Sequence, residues 1–220
     1  MTPDSTLQLY TYFRSSAAYR VRIALNLKGL DWQSLPINLA TGEQRSAEYL
    51  KHNPQGFVPA LQTAGGLITQ SLAIIEYLDE CYPQPPLLPD SAIDRATVRS
   101  MAQQIAMDIH PLNNLRVTQY LTAEMGVDEA GKLRWYQHWI AQGFTAFEES
   151  LRHLNSTGQF CFGDSPTVAD ICLIPQVSNA LRFSCPLESY PTINSIYQHC
   201  TSLPAFISAS PQAQPDFPAP

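Results

Sequence analysis

The chain has 220 residues, 45% hydrophobic and 15% charged, which is enough apolar material for one or two ordinary cores and too little charge for a disordered chain. Its formal net charge is −6 and no block of lysine or arginine occurs, which argues against nucleic acid or an anionic membrane as a partner of the whole surface. The first residues, Met1-Thr2-Pro3-Asp4-Ser5, form no basic and apolar leader, and no apolar run approaches the roughly 18 residues of a membrane span.

Five cysteines, Cys81, Cys161, Cys172, Cys185 and Cys200, show no CxxC and no metal-like spacing. They predict reduced, mostly packed thiols in a cytoplasmic protein without a bound metal. In chain order, Leu7-Gln8-Leu9-Tyr10-Thr11-Tyr12 alternates as a strand does. Ala18, Val21, Ala24, Leu25 and Lys28 then recur at helical spacing, with Gly29 placed to end the helix. The intervening Phe13-Arg14-Ser15-Ser16 is a tight turn that sets both serines at a helix start. Unpaired N–H groups and the positive end of the dipole attract an anion there, and a serine hydroxyl can donate to a thiolate. A simple N-cap is the other role open to such a serine.

Trp32 to Leu39 alternates again and predicts a second strand parallel to the first, completing a βαβ unit. A polar stretch from Ala40 to Asn53, containing Gln44, predicts a loop with a short helix around Ala47 to Lys51. Two short strands follow, Val58 to Gln62 and Leu67 to Gln70, joined by Thr63-Ala64-Gly65-Gly66. Ser71 then caps a helix with Leu72, Ile75, Leu78 and Tyr82 on one face, giving the order β-α-β-α-β-β-α.

Four prolines between Tyr82 and Asp90 exclude regular structure and place a domain boundary, with one domain over 1–86 and an all-helical one over 92–220. Helical periodicity covers Ile93 to Ile109, Leu112 to Met125 and Asp128 to Leu154, where Leu133, Tyr136, Ile140, Phe144, Phe147 and Leu151 form a stripe. Thr167 and Asp170 make an acidic capping box for a further helix, so Asp170 reads as structural. The segment from Ser208 to Pro220, rich in proline and alanine, predicts a loosely held tail.

This order resembles a thioredoxin-like domain followed by a helical bundle, the glutathione transferase fold. Particular motifs resemble the zeta class, which includes maleylacetoacetate isomerase. They are Arg14-Ser15-Ser16 with Tyr19-Arg20-Val21-Arg22, Asn53-Pro54-Gln55 with Val58-Pro59-Ala60-Leu61, Gln70-Ser71, Asp108-Ile109-His110-Pro111 with Asn113-Asn114, and Gly163-Asp164-Ser165-Pro166-Thr167-Val168-Ala169-Asp170. The resemblance covers the whole chain except its ends. The run from Asp108 to Arg116 is also similar to glutathione-dependent maleylpyruvate isomerase.

The resemblance implies glutathione as cofactor and a homodimer. Ser15, or alternatively Ser16, would hydrogen-bond the glutathione thiolate. Val58, through a cis bond to Pro59, would offer its backbone to the cysteinyl residue. Gln70 and Ser71 would hold the γ-glutamyl carboxylate, and Gln44 the glycyl end. His110 and Asn114, one helical turn apart, would face the tripeptide, although a histidine before proline also serves as a kink partner. One departure stands out: Ala17 occupies the position where the class has cysteine, so the nucleophile must come from glutathione.

The implied reaction is cis–trans isomerisation of a maleyl keto acid formed by ring cleavage, from homogentisate in tyrosine and phenylalanine catabolism or from gentisate. The thiolate adds to the cis double bond, the central bond rotates, and the thiolate is expelled. A dianionic substrate passing through an enolate calls for guanidinium groups, and the candidates are Arg14, Arg182 and Arg116. A solvated surface charge is the other role for each of them.

Overall fold

A computed structural model describes residues 7–154 and 156–218. Four strands and nine α-helices occur among them: β1 (Leu7–Thr11), α1 (Ser16–Leu27), β2 (Trp32–Pro36), α2 (Ala47–His52), β3 (Ala60–Thr63), β4 (Gly66–Thr69), α3 (Ser71–Cys81), α4 (Ala92–Gln103), α5 (Leu115–Ala123), α6 (Glu129–His153), α7 (Val168–Arg182), α8 (Pro191–Thr201) and α9 (Pro204–Ala209). They form two compact units, one running to Pro86 and resuming at Leu203, the other spanning Leu87–Ser202.

In the first unit the sheet order is β2-β1-β3-β4. β1 and β2 are parallel, joined by a crossover through α1, while β3 runs antiparallel to both β1 and β4. The register pairs Tyr10 with Ala60 and Ala60 with Thr69, so the segments just after β1, before β3 and after β4 meet at one end of the sheet. Leu9, Ala18, Val21, Ile23, Leu25, Leu61, Ile74, Ile75 and Leu78 are buried, which places the core between the sheet and α1 with α3.

The expectation of a loose tail is overturned, and with it the assignment of the last residues to the helical domain. α9 packs on α1: Asn26 Nδ2 donates to Ala205 O at 2.9 Å, Arg22 Nε donates to Ala209 O at 2.9 Å, and Phe206 is fully buried. Pro204 and Pro211 each open a helical turn, a position where proline's missing N–H has no cost, so they initiate structure here. The chain from Leu203 therefore belongs with the first unit.

The second unit contains α4 to α8. The helix expected from Ile93 to Ile109 is α-helical only to Gln103, continues as a π-helical turn over Gln104–Ile109, and closes as a 3₁₀ turn over His110–Asn113. Pro111 lacks the N–H that a continuing helix would use. The widened turn lays Ile109 on Gly143 of α6, where a Cβ would collide with the Ile109 side chain. Tyr136, Ile140, Phe144, Phe147 and Leu151 form the buried stripe of α6, but Leu133 is exposed and lies outside it. The capping box of α7 is present, with Thr167 and Asp170 reciprocally bonded. No helix among the described residues is long and apolar enough to cross a membrane.

Candidate active site

The site starts at the turn between β1 and α1. Ser15 N–H donates to Tyr12 O at 3.0 Å, closing a four-residue turn, and Ser15 is the N-cap of α1, its Oγ accepting from Ala18 N–H at 3.2 Å. Ser16 is the first helical residue and is buried. The two roles open to Ser15 do not compete: a hydroxyl that accepts through a lone pair keeps its proton to donate. The amides of Ser16 and Ala17 belong to the first helical turn, which has no intrahelical acceptors for them.

Beneath the turn lies Arg22, fully buried. Its Nη1 donates to Thr11 Oγ1 at 3.0 Å and Tyr12 O at 3.3 Å, and its Nη2 donates to Phe13 O at 3.2 Å. Burial lowers its pKa to about 10, against the opposing pull of Tyr19 and Asp216. The Phe13 N–H donates to Asp216 Oδ2 at 2.9 Å. Arg14 points outward, exposed, with its guanidinium carbon 6.0 Å from the Phe13 ring centre.

Beside this turn, Val58 packs with Tyr12, Phe13, Ile37 and Tyr49 and is joined to Pro59 by a cis peptide. The segment leading to it is braced, Asn53 Nδ2 and Tyr49 Oη both donating to Phe57 O, at 2.8 and 2.6 Å. At the start of α3 the structure corrects one expectation. Gln70 is the N-cap residue, at φ 72°, and Ser71 is the first helical residue. Gln70 Nε2 donates to Gln55 Oε1 at 2.9 Å, while Ser71 Oγ accepts from buried Arg20 Nη1 at 3.3 Å. Gln44 sits in a 3₁₀ turn, Glu43–Arg45, and its Oε1 is buried with no partner among the described residues.

One end of the first unit's sheet thus gathers Arg14, Ser15, Ser16, Val58, Pro59, Gln70 and Ser71. The remaining candidates belong to the second unit. His110 opens the 3₁₀ turn and Asn114 is the N-cap of α5, its Oδ1 accepting from Arg116 N–H at 3.1 Å, so the two do not share a continuous helix as expected. Arg116 is exposed in the first turn of α5. Arg182 is exposed at the end of α7, its Nη2 donating to Asn179 Oδ1 at 3.0 Å and its guanidinium 4.6 Å from the Phe183 ring centre.

Residues 5–80 match the model of the glutathione S-transferase N-terminal domain, and 135–197 that of the C-terminal domain. A protein of Vibrio cholerae named "Probable maleylacetoacetate isomerase" is 50% identical over 213 residues, 96% of this chain and 98% of the relative. The holo structure of a maleyl pyruvate isomerase, described as a bacterial glutathione S-transferase of the zeta class, is 44% identical with a TM-score of 0.94, covering 95% of this chain and 99% of that one. The chain belongs to the zeta class of the glutathione S-transferase family. A maleylacetoacetate isomerase of Methylobacterium extorquens, solved with bound malonate and glutathione, is 39% identical with a TM-score of 0.93 over 96% of this chain and all of the other.

The zeta-class site fits glutathione on its own evidence. A helix start backed by buried Arg20 suits a carboxylate, the buried and unpartnered Gln44 Oε1 awaits a donor, and the open α1 amides beside Ser15 suit a thiolate. Sequence reasoning missed Arg20, Arg22, Gln55 and Asp216. Arg20 and Arg22 stand two residues apart among the apolar Ala18, Val21, Ile23, Ala24 and Leu25, which was the available signal.

Proposed function

We propose that this protein catalyses glutathione-dependent cis–trans isomerisation of a maleyl keto acid, with maleylacetoacetate, an intermediate of tyrosine and phenylalanine catabolism, as first substrate and maleylpyruvate as the alternative. The observation that carries the reading is Ser15 at the N-cap of α1, its hydroxyl proton uncommitted and first-turn amides beside it. Bound glutathione supplies a thiol that adds reversibly to the substrate's double bond and leaves after rotation.

Ser15 donates to the sulfur, and the helix dipole favours its negative charge. Lowering a thiol pKa by about two units takes about 2.7 kcal/mol, within reach of one charge-assisted hydrogen bond plus the dipole. Ser16 is the alternative donor. The Val58 amide and carbonyl pair with the cysteinyl backbone, Gln70 and Ser71 take the γ-glutamyl carboxylate, and Gln44 the glycyl end. Arg14, exposed beside the turn, clamps a substrate carboxylate, and Arg116 and Arg182 are the further cations. His110 and Asn114 complete the tripeptide's surroundings.

The malonate bound together with glutathione in the structure of the Methylobacterium extorquens relative supports a dicarboxylate as ligand. Ala17 favours maleylpyruvate, because glutathione-dependent maleylpyruvate isomerase does not require cysteine at that position. We place the enzyme in the cytoplasm as a homodimer, and sedimentation showing only a 24.5 kDa species at micromolar concentration would sink the dimer.

The deciding experiment follows loss of both maleyl acids by absorbance, with and without glutathione, on the wild type, Ser15→Ala and Arg14→Ala. Turnover no faster than with glutathione alone would leave a glutathione-binding carrier or a general conjugating transferase. Full rate in Ser15→Ala would assign the thiolate to another donor.

A further inference from the structure

Of all the contacts that hold the β1–α1 turn, the one from the far end of the chain says most. The peptide plane between Tyr12 and Phe13 is gripped at both ends. Its carbonyl, Tyr12 O, accepts from Arg22 Nη1 at 3.3 Å and from Ser15 N–H at 3.0 Å, and its amide, Phe13 N–H, donates to Asp216 Oδ2 at 2.9 Å. A buried cation and a carboxylate thus fix one peptide whose oxygen is also the acceptor for the Ser15 amide. Rotating that plane would release Ser15 N–H and turn the N-cap away.

Asp216 is itself well held. Gln214 Nε2 donates to Ser208 O at 3.0 Å and to Ser210 O at 2.9 Å, and Phe217 N–H returns to Gln214 O at 3.0 Å. The Phe217 ring meets the Phe13 ring edge-on, centres 5.4 Å apart at 85°. Asp216 Oδ1 is buried with no hydrogen-bond partner among the described residues. The negative charge of Asp216 also acts on the buried Arg22 guanidinium, which grips the other end of the same peptide plane. The pairing of this carboxylate with the turn is what the arrangement retains.

We propose that Asp216 is a positioning residue for Ser15: through the Phe13 amide it sets the peptide plane that aims the serine hydroxyl and the open α1 amides at the glutathione sulfur. This rests on the glutathione reading above. Asp216 acts on the sulfur indirectly, through the Phe13 amide and through its charge on Arg22. A carboxylate accepts from an amide more strongly than a neutral group does, and an asparagine keeps an acceptor oxygen in the same place.

The test titrates the ultraviolet absorbance of the thiolate in the glutathione complex of the full chain, for the wild type, Asp216→Ala and Asp216→Asn, beside kcat/KM and thermal unfolding. In Asp216→Ala the apparent thiol pKa rises by about one unit and kcat/KM falls about tenfold, while glutathione affinity changes far less. Asp216→Asn restores most of both. If Asp216→Ala does not fold, Asp216→Glu, which displaces the carboxylate by one methylene, is measured for the same rise. A wild type without a thiolate band overturns the glutathione reading and this role together. A wild-type band that these variants leave in place, with only the melting temperature lowered, overturns the role of Asp216 alone.

Discussion

Arg20 in α1 donates from Nη1 to Ser71 Oγ at the start of α3, 3.3 Å away, and both side chains are buried. The bond takes a lone pair of the serine and leaves its proton for an incoming carboxylate, while the guanidinium adds positive charge to a helix N-terminus. Ser71→Ala is expected to weaken glutathione binding about tenfold by calorimetry and also to lower the melting temperature, since the buried guanidinium of Arg20 loses this acceptor. Arg20→Met should weaken binding further and also destabilise the fold, since it leaves Ser71 Oγ buried without its donor. Equal affinity in wild type and Ser71→Ala would move the carboxylate subsite elsewhere.

Ser15 and Ser16 separate by the same logic. Ser15 Oγ caps α1 through Ala18 N–H, whereas Ser16 is the buried first helical residue. Ser15→Ala should cost about 1 kcal/mol of stability from the lost cap and, as loss of a single donor to developing charge, roughly a hundredfold in kcat. Ser16→Ala should leave both close to wild type. A larger rate loss in Ser16→Ala than in Ser15→Ala, measured on either maleyl acid, would exchange the two roles.

What the sequence disclosed follows from the range of each signal. The strand, turn and helix around Ser15 were legible because alternation and helical spacing are local patterns. Arg20 and Arg22 were not, since arginines belong at the surface by default and these two find partners at Ser71 and Ala209, 51 and 187 residues away. The cap of α3 was misplaced by one residue because the positive φ of Gln70 sets it, a conformation that glutamine does not announce. The tail from Ser208 was misjudged on composition: Ala209 O accepts from Arg22 Nε and Asp216 Oδ2 from Phe13 N–H, partners 187 and 203 residues away that proline and alanine content does not reveal. His110 and Asn114 lost their shared helix to Pro111.

Asp170 carries the second unit's most demanding polar contacts. Fully buried, it accepts from Cys161 N–H at 2.7 Å through Oδ1, and from Thr167 N–H at 2.8 Å and Thr167 Oγ1 at 3.0 Å through Oδ2. Asp170→Ala strands these donors in the core and should cost about 3 kcal/mol in denaturant unfolding. Burial raises the Asp170 pKa above its ordinary value, more than the amide donors lower it. A raised folded-state pKa means a stabilising contribution present below the unfolded pKa and lost as pH rises through the folded one. Relative to Asp170→Asn, which does not titrate, the wild type should therefore gain stability as pH falls through that range. A difference between the two that is flat with pH would contradict the raised value.

The thiols divide sharply by burial, and alkylation should show it. Cys81 is exposed, while Cys161, Cys172, Cys185 and Cys200 are buried. Burial pushes the Cys161 and Cys200 thiols up, reinforced in both by the Asp170 carboxylate, and lifts Cys185 to about 11. Reagent must reach the sulfur, so native protein treated with iodoacetamide at about pH 8 should take up one label, at exposed Cys81, by peptide mass mapping. Raising the pH towards 11 should recruit Cys185 before Cys161 or Cys200, because burial lifts its thiol only to about 11 and it borders the end of α7. Cys161 and Cys200 should stay unlabelled until the second unit unfolds, so that their labelling tracks denaturant and not pH. Prompt labelling of Cys161 in the native protein would mean that the network around Asp170 opens far more readily than its hydrogen bonds indicate.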